Sequence, residues 1–132
     1  MTNKLILRLS NEMGNQMFMY AAGYVFAKKM NRILFIDNET AFLLKKNISE
    51  FGLNEFNYNA QIAPQNLKFL NFTGYLRRKI KKKINYLKSK KDFLIEYKNK
   101  NKITYFNDNF LKLNFSNNLY VEGHFESEKY FF

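Results

Sequence analysis

The stretch LSNEMGNQMFMYAAGYVFAKKM, residues 9–30, holds the side chains best placed to do chemistry. Gly14, Asn15 and Gln16 follow a strand-like run and open an apolar helical one. A helix that begins straight after a strand offers unpaired N–H donors and the positive end of its dipole, a ready seat for phosphate or another anion. Glycine at such a corner lets a ligand approach the backbone closely. Asn15 brings a carbonyl and an amide, able to hold a sugar or phosphate oxygen. The plainer alternative is that Gly14 makes the turn and Asn15 caps the helix. Three carboxylates, Glu12, Asp37 and Glu126, fall near expected strand ends and are the candidates for a base that activates a hydroxyl. For each, a solvated or capping role is the simpler one. His124, the single histidine, is a candidate substrate contact or an ordinary packed side chain.

Several chemistries are excluded. With no cysteine and one histidine, the chain has no disulfide framework, no thiolate nucleophile and no set of zinc ligands. Asp37 is spaced as the ribose-binding acid of a dinucleotide fold would be, but Gly14 is the only one of the three fingerprint glycines present. Binding of NAD is therefore disfavoured. The net charge of +11 favours anionic partners without choosing among nucleic acid, membrane and phosphorylated small molecules. The opening MTNKLILRLS is too weakly apolar for a signal peptide. No run approaches the roughly 18 apolar residues of a membrane span. A chain on the cytoplasmic side is expected.

The elements that must position these residues follow from periodicity. KLILRLS, residues 4–10, alternates as a strand does, and RILFID, residues 32–37, is a short apolar run ending in Asp37. Between them, residues 16–30 read as a mostly buried helix, with Gly23 in its middle explained if it packs closely on a sheet. Strand, helix, strand within this span is a βαβ unit and implies a parallel sheet, with ligands beyond the carboxyl ends of its strands. Residues 40–66 read as a short helix or irregular segment, with Pro64 opening the next element. Residues 69–87 form a basic amphipathic helix: Phe69, Phe72, Leu76, Ile80, Ile84 and Leu87 recur at spacings of three and four, with Lys and Arg between. Residues 102–106 and 118–125 read as further strands, and Ser127 as the N-cap of a last helix. The 132 residues suit one α/β domain with a Rossmann-like parallel sheet.

LRLSNEMGNQMFMYAAGYVFAKKMNRILFID resembles the opening of the bacterial α-1,2-fucosyltransferases, glycosyltransferase family 11, whose pattern runs L-x-G-G-L-G-N-Q-[ML]-F-x-Y-A-x-G. YVEGHFESEKYF is similar to that family's E-G-[YF]-[FW]-Q-S-E-K-Y-F, in the same order along the chain. Asn11 and Glu12 stand where the family has Gly-Gly, and His124 and Glu126 where it has an aromatic residue and Gln. The resemblance implies the acceptor-side, N-terminal lobe of a two-lobed GT-B enzyme. Such an enzyme transfers fucose from GDP-fucose to a galactoside hydroxyl of a surface glycan such as lipopolysaccharide, with inversion and without metal or cofactor. It implies substrate contacts at Gly14, Asn15, Gln16, His124 and Glu126, and leaves the base unassigned. The arginine-rich donor motif H-x-R-R-G-D follows S-E-K-Y-F in the family and is not among the 132 residues, so a truncated lobe, inactive alone, is expected.

The basic helix carries a second, non-catalytic expectation: a module that binds an anionic membrane surface or RNA through residues 76–91. A lysine-rich helical face is ordinarily solvated. Apolar stripe plus lysines is also the interfacial pattern, which would place the chain peripherally on the inner face of the cytoplasmic membrane. RNA comes last, because no RRM, KH or zinc-finger pattern accompanies the cations.

Overall fold

The computed structural model describes residues 3–10, 13–42, 60–85, 87–95 and 114–123. Five strands form one sheet: β1 (Lys4–Arg8), β2 (Ile33–Asp37), β3 (Gln61–Ile62), β4 (Lys91–Ile95) and β5 (Phe115–Glu122). Their order across the sheet is β3-β2-β1-β5-β4, and every pairing is parallel. Helix α1 (Met13–Lys29) joins β1 to β2, and helix α2 (Asn71–Asn85) precedes β4. The arrangement is Rossmann-like, as the βαβ pattern predicts. Among the described residues, no helix is long and apolar enough to cross a membrane.

The period-2 alternation of the strands sends their side chains to two different layers. Leu5, Leu7, Ile36, Leu119 and Val121 point to the side where Met19, Ala22 and Phe26 of α1 pack, and all are essentially buried. Gly23 lets the helix lie close on the sheet there: a Cβ at that position would lie 2.8 Å from Leu7 Cδ2, so the Leu7 side chain would have to shift. The helix is closed by Asn31, two residues past its last helical position, which adopts a positive φ of 55°. Arg32 N–H donates to the Ala27 carbonyl (2.8 Å) and Asn31 N–H to that of Lys28 (3.2 Å). This Schellman-type closure satisfies two carbonyls of the last turn. On the other face Ile6, Ala63, Phe69, Phe93 and Tyr120 make a smaller cluster. The Tyr120 ring meets Phe69 edge-on at 5.0 Å between centroids and Phe93 at 5.5 Å.

Helix α2 lies on this second face and reverses the usual arrangement. Gly74 is its one buried residue among those described. What α2 turns toward the sheet is polar. Arg78 and Lys82 reach Glu122 of β5, while Asn85 bonds to the backbone of Asp92 and Phe93 in β4. Arg77 donates to the Lys68 carbonyl (2.9 Å). The apolar stripe faces outward: Phe72 is 72% exposed, Leu76 42%, Ile80 60% and Ile84 45%, with Leu87 just beyond the helix at 73%. The cationic face that the pattern suggests is solvated therefore gives two of its members to a buried carboxylate.

The boundaries also differ from expectation. Helix α1 begins at Met13, so Gly14, Asn15 and Gln16 form its first turn rather than a corner before it. Strand β4 falls in KDFLI, directly after a lysine-rich run that hides it from a periodicity reading. Strand β5 starts and stops three residues earlier than residues 118–125. In the segment 40–66, a 3-10 turn covers Thr40–Phe42 and β3 covers Gln61–Ile62, and Pro64 does open a 3-10 turn at Gln65–Leu67. Residues 43–59, the expected strand at 102–106 and the expected helix at Ser127 lie outside the described residues.

Candidate functional site

Strand order reverses direction between β1 and β5: the chain moves from β1 outward through β2 and β3, then crosses to β4 and returns to β5. Open parallel sheets bind ligands beyond the carboxyl ends of strands at such a reversal. Arg8 and Glu122 end β1 and β5 there, and Asp37 ends the adjacent β2, in register with Arg8. Strand parity turns these three residues to the α2 side of the sheet, on which Ile6 and Tyr120 also lie.

Glu122 is nearly fully buried and carries two cations from α2, with Arg78 Nε at 2.6 Å from Oε1 and Lys82 Nζ at 3.0 Å from Oε2. Burial alone would raise the pKa of its carboxyl. The hydrogen bond from Arg78 and the charges of Arg78, Lys82 and Arg8 outweigh burial and hold it below the ordinary value. Arg78 is opposed by burial in the same way, and its contacts with Glu122 keep its pKa raised. The Arg8 Nε is buried and has no hydrogen-bond partner among the described residues. An anionic oxygen is the partner such a guanidinium N–H takes most strongly.

Asp37 serves a different purpose. It is completely buried, and its Oδ1 accepts the N–H groups of Glu39 (3.1 Å) and Thr40 (3.0 Å). Its Oδ2 accepts the Tyr120 hydroxyl at 2.6 Å and the Thr40 hydroxyl. An ionised carboxylate offers about four acceptor sites, and four donors fill them. Burial, then the charge of Asp37 and its hydrogen bond, push the Tyr120 phenol well above its ordinary pKa, so this hydroxyl remains a donor. The residue weighed as a base is thus a structural anchor that ties the turn after β2 to β5. Thr40 Oγ1 extends the anchor by accepting Phe69 N–H (3.1 Å), and buried Lys68 joins it by bonding Glu39 (2.6 Å) and Asn38 (2.9 Å).

Of the other expected site residues, Gly14, Asn15 and Gln16 sit together in the first turn of α1, a few residues beyond Arg8. Gln16 is fully buried, whereas Asn15 is only half-buried. Asn15 is accordingly the more accessible of the two side chains. Glu12, His124 and Glu126 lie outside the described residues. No group of three or more His, Cys, Asp or Glu among the described residues could hold a metal ion.

Reading the sequence missed Arg8, Arg78, Tyr120 and Glu122 as members of this constellation. A signal existed for two of them: Arg8 and Glu122 are charged residues at positions whose strand neighbours of the same parity, Ile6 and Tyr120, are buried. A separate cleft of about 510 Å³ opens on the same face, with Ile6, Phe69 and Tyr120 at its floor and Arg77, Lys81 and Asn118 around it. Gly14, Asn15, Gln16 and Asp37 are not among the residues that line it, whereas Arg77 and Lys81 belong to the basic stretch 76–91. Comparison with protein-family models, with curated proteins and with solved structures finds no match to this chain, so a functional reading rests on the quoted motifs and on this geometry.

Proposed function

We propose that the chain is the acceptor-side lobe of an inverting, metal-independent α-1,2-fucosyltransferase that uses GDP-fucose and a galactoside-containing glycan. The observation that carries the reading is the joint position of Arg8, which ends the central strand of a parallel sheet, and the Gly14-Asn15-Gln16 turn, which opens the helix that follows that strand. A departing nucleoside diphosphate gathers negative charge, and preorganised N–H donors and guanidinium groups are what stabilise it. The first turn of α1 supplies backbone N–H groups, Asn15 an amide, and Arg8 a donor with no hydrogen-bond partner among the described residues. The second motif begins within β5, at Tyr120-Val121-Glu122, and β5 pairs with β1, so the strands from which the two motifs run lie side by side. The remaining charge stabilisation and the base would come from groups outside the described residues. A site on the cytoplasmic side, with peripheral contact at the inner face of the membrane, suits this reading.

Titration of the isotopically labelled chain with GDP-fucose, GDP and inorganic phosphate tests it by amide shifts. Saturable shifts at Arg8, Gly14 and Asn15, stronger for GDP-fucose than for phosphate and lost in Asn15→Ala, are expected. Shifts confined to Lys79–Lys83, or equal for all three ligands, overturn it.

A further inference from the structure

We propose that the outward stripe of α2 docks the domain on an anionic lipid bilayer, with the helix lying flat in the headgroup region. The inference is independent of the transferase reading, since it uses none of the residues at the carboxyl ends of the strands except through the contacts that orient α2.

The argument begins with the inversion of the helix. At about 100° per residue, Gly74, Arg78, Lys82 and Asn85 occupy one arc of α2, and Phe72, Leu76, Ile80 and Ile84 the opposite one. The first arc is committed to the domain through Glu122, Asp92 and Phe93. A helix that binds its own fold by its polar side leaves its apolar side without a protein partner among the described residues. From Phe72 to Ile84 the stripe spans about 18 Å along the axis, and Leu87 lies exposed just beyond the helix. A row of five large exposed apolar side chains on a chain otherwise rich in charge marks an interaction surface.

Charge selects the occupant. Lys79 and Lys83, both exposed, flank the stripe on one side; on the other, Arg77 and Lys81 are also exposed and lie between the stripe and the cleft on the sheet face, Arg77 with one bond to the Lys68 carbonyl. From Phe56 through Lys91 the sequence contains no Asp or Glu. Apolar residues that enter a headgroup layer between rows of lysines match an anionic interface in both chemistry and geometry. A second copy would bring identical cationic rows against each other, which disfavours self-pairing. RNA would use the cations but gains nothing from aliphatic Leu76, Ile80 and Ile84, because it is read by stacking and hydrogen bonding.

Flotation of the full chain with vesicles tests the proposal, comparing neutral phosphatidylcholine with the same lipid carrying phosphatidylglycerol. The chain has no tryptophan, so Phe72→Trp supplies a single fluorescent probe. Binding to the anionic vesicles alone is expected, with a blue shift of the indole emission in that variant and its quenching by brominated acyl chains. Ile80→Asp should lower the partition coefficient at least tenfold, and the pair Lys79→Gln and Lys83→Gln several-fold, with melting temperatures unchanged. Absence of binding to anionic vesicles overturns the proposal, as does binding that Ile80→Asp leaves intact. A dimer that Ile80→Asp dissociates, displacement of vesicles by RNA at equal phosphate, or a large drop in melting temperature in Ile80→Asp would each assign the stripe to another occupant and overturn it as well.

Discussion

Glu122 links the candidate site to the packing of α2, and its charge state sets how firmly that helix is held. Its carboxyl titrates lower in the folded protein than its ordinary value of 4.5. Near and below that value the unfolded chain therefore binds more protons than the folded one. The stabilisation it provides is complete above the ordinary value and is lost as pH falls through the folded one. Replacing Glu122 by Gln leaves Arg78, Lys82 and Arg8 facing a neutral amide, the situation in which a buried pair is broken from one side. A loss of about 3 kcal/mol at neutral pH is expected in urea unfolding. The difference from the parent protein should shrink as pH drops below the carboxylate range. A variant that keeps the parent's acid slope would show that some other group carries the pH dependence. Asp37 lies close by yet plays a different part, because its four donors come from Tyr120, Thr40 and local backbone rather than from cations.

At the scale of elements, the two helical glycines separate two kinds of close approach. A Cβ on Gly23 would press on the Cδ atoms of Leu7, a side chain with some freedom to shift, whereas one on Gly74 would sit 2.8 Å from the backbone carbonyl carbon of Phe69. Gly→Ala in a helix gains about 1 kcal/mol of propensity. Overpacking a tight contact costs about 1–3 kcal/mol. Gly23→Ala should come out within about 1 kcal/mol of the parent, and Gly74→Ala about 2 kcal/mol less stable, as measured by chemical denaturation. Reversal of that order would mean that the segment before α2 yields more easily than the buried Leu7. The same two helices show what the sequence could tell. Close packing of Gly23 was readable, because an apolar helix between two strands has only a sheet to meet. The facing of α2 was not. Its period fixes which residues share a stripe, but not whether the stripe or the polar arc meets the sheet; that depends on Glu122, far along the chain. Strand β4 was hidden for a local reason, since Lys90, Lys91 and Asp92 obscure the short apolar core of KDFLI. In the site, Gly14–Gln16 and Asp37 were visible as types at a spacing, whereas Arg8, Tyr120 and Glu122 acquire meaning only once parallel pairing sets them on one face.

Across the whole molecule, the sheet is held by two layers of different chemistry. The α1 layer is an apolar interior in which Phe26, Met19 and Ala22 cover the central strands. The α2 layer is attached by a carboxylate with two cations, by the amide of Asn85 and by Gly74, with its apolar residues turned away. Local opening requires little free energy where few apolar contacts are lost, so α2 should open in excursions that leave β1, β5 and α1 intact. Native-state hydrogen exchange would register this as α2 amides exchanging well before those of Leu5–Leu7 and of Met19–Phe26. Because the α2 layer depends on Glu122, lowering pH through that group's folded range should widen the gap, and Glu122→Gln should widen it at neutral pH. Exposure to urea should then unfold the α1 layer in a separate, later step. Equal protection in both helices, moving together on acidification, would mean that the polar contacts bind α2 as cooperatively as the apolar core binds α1. In that case the outward stripe would belong to a rigid surface rather than to a helix able to adjust as it meets its partner.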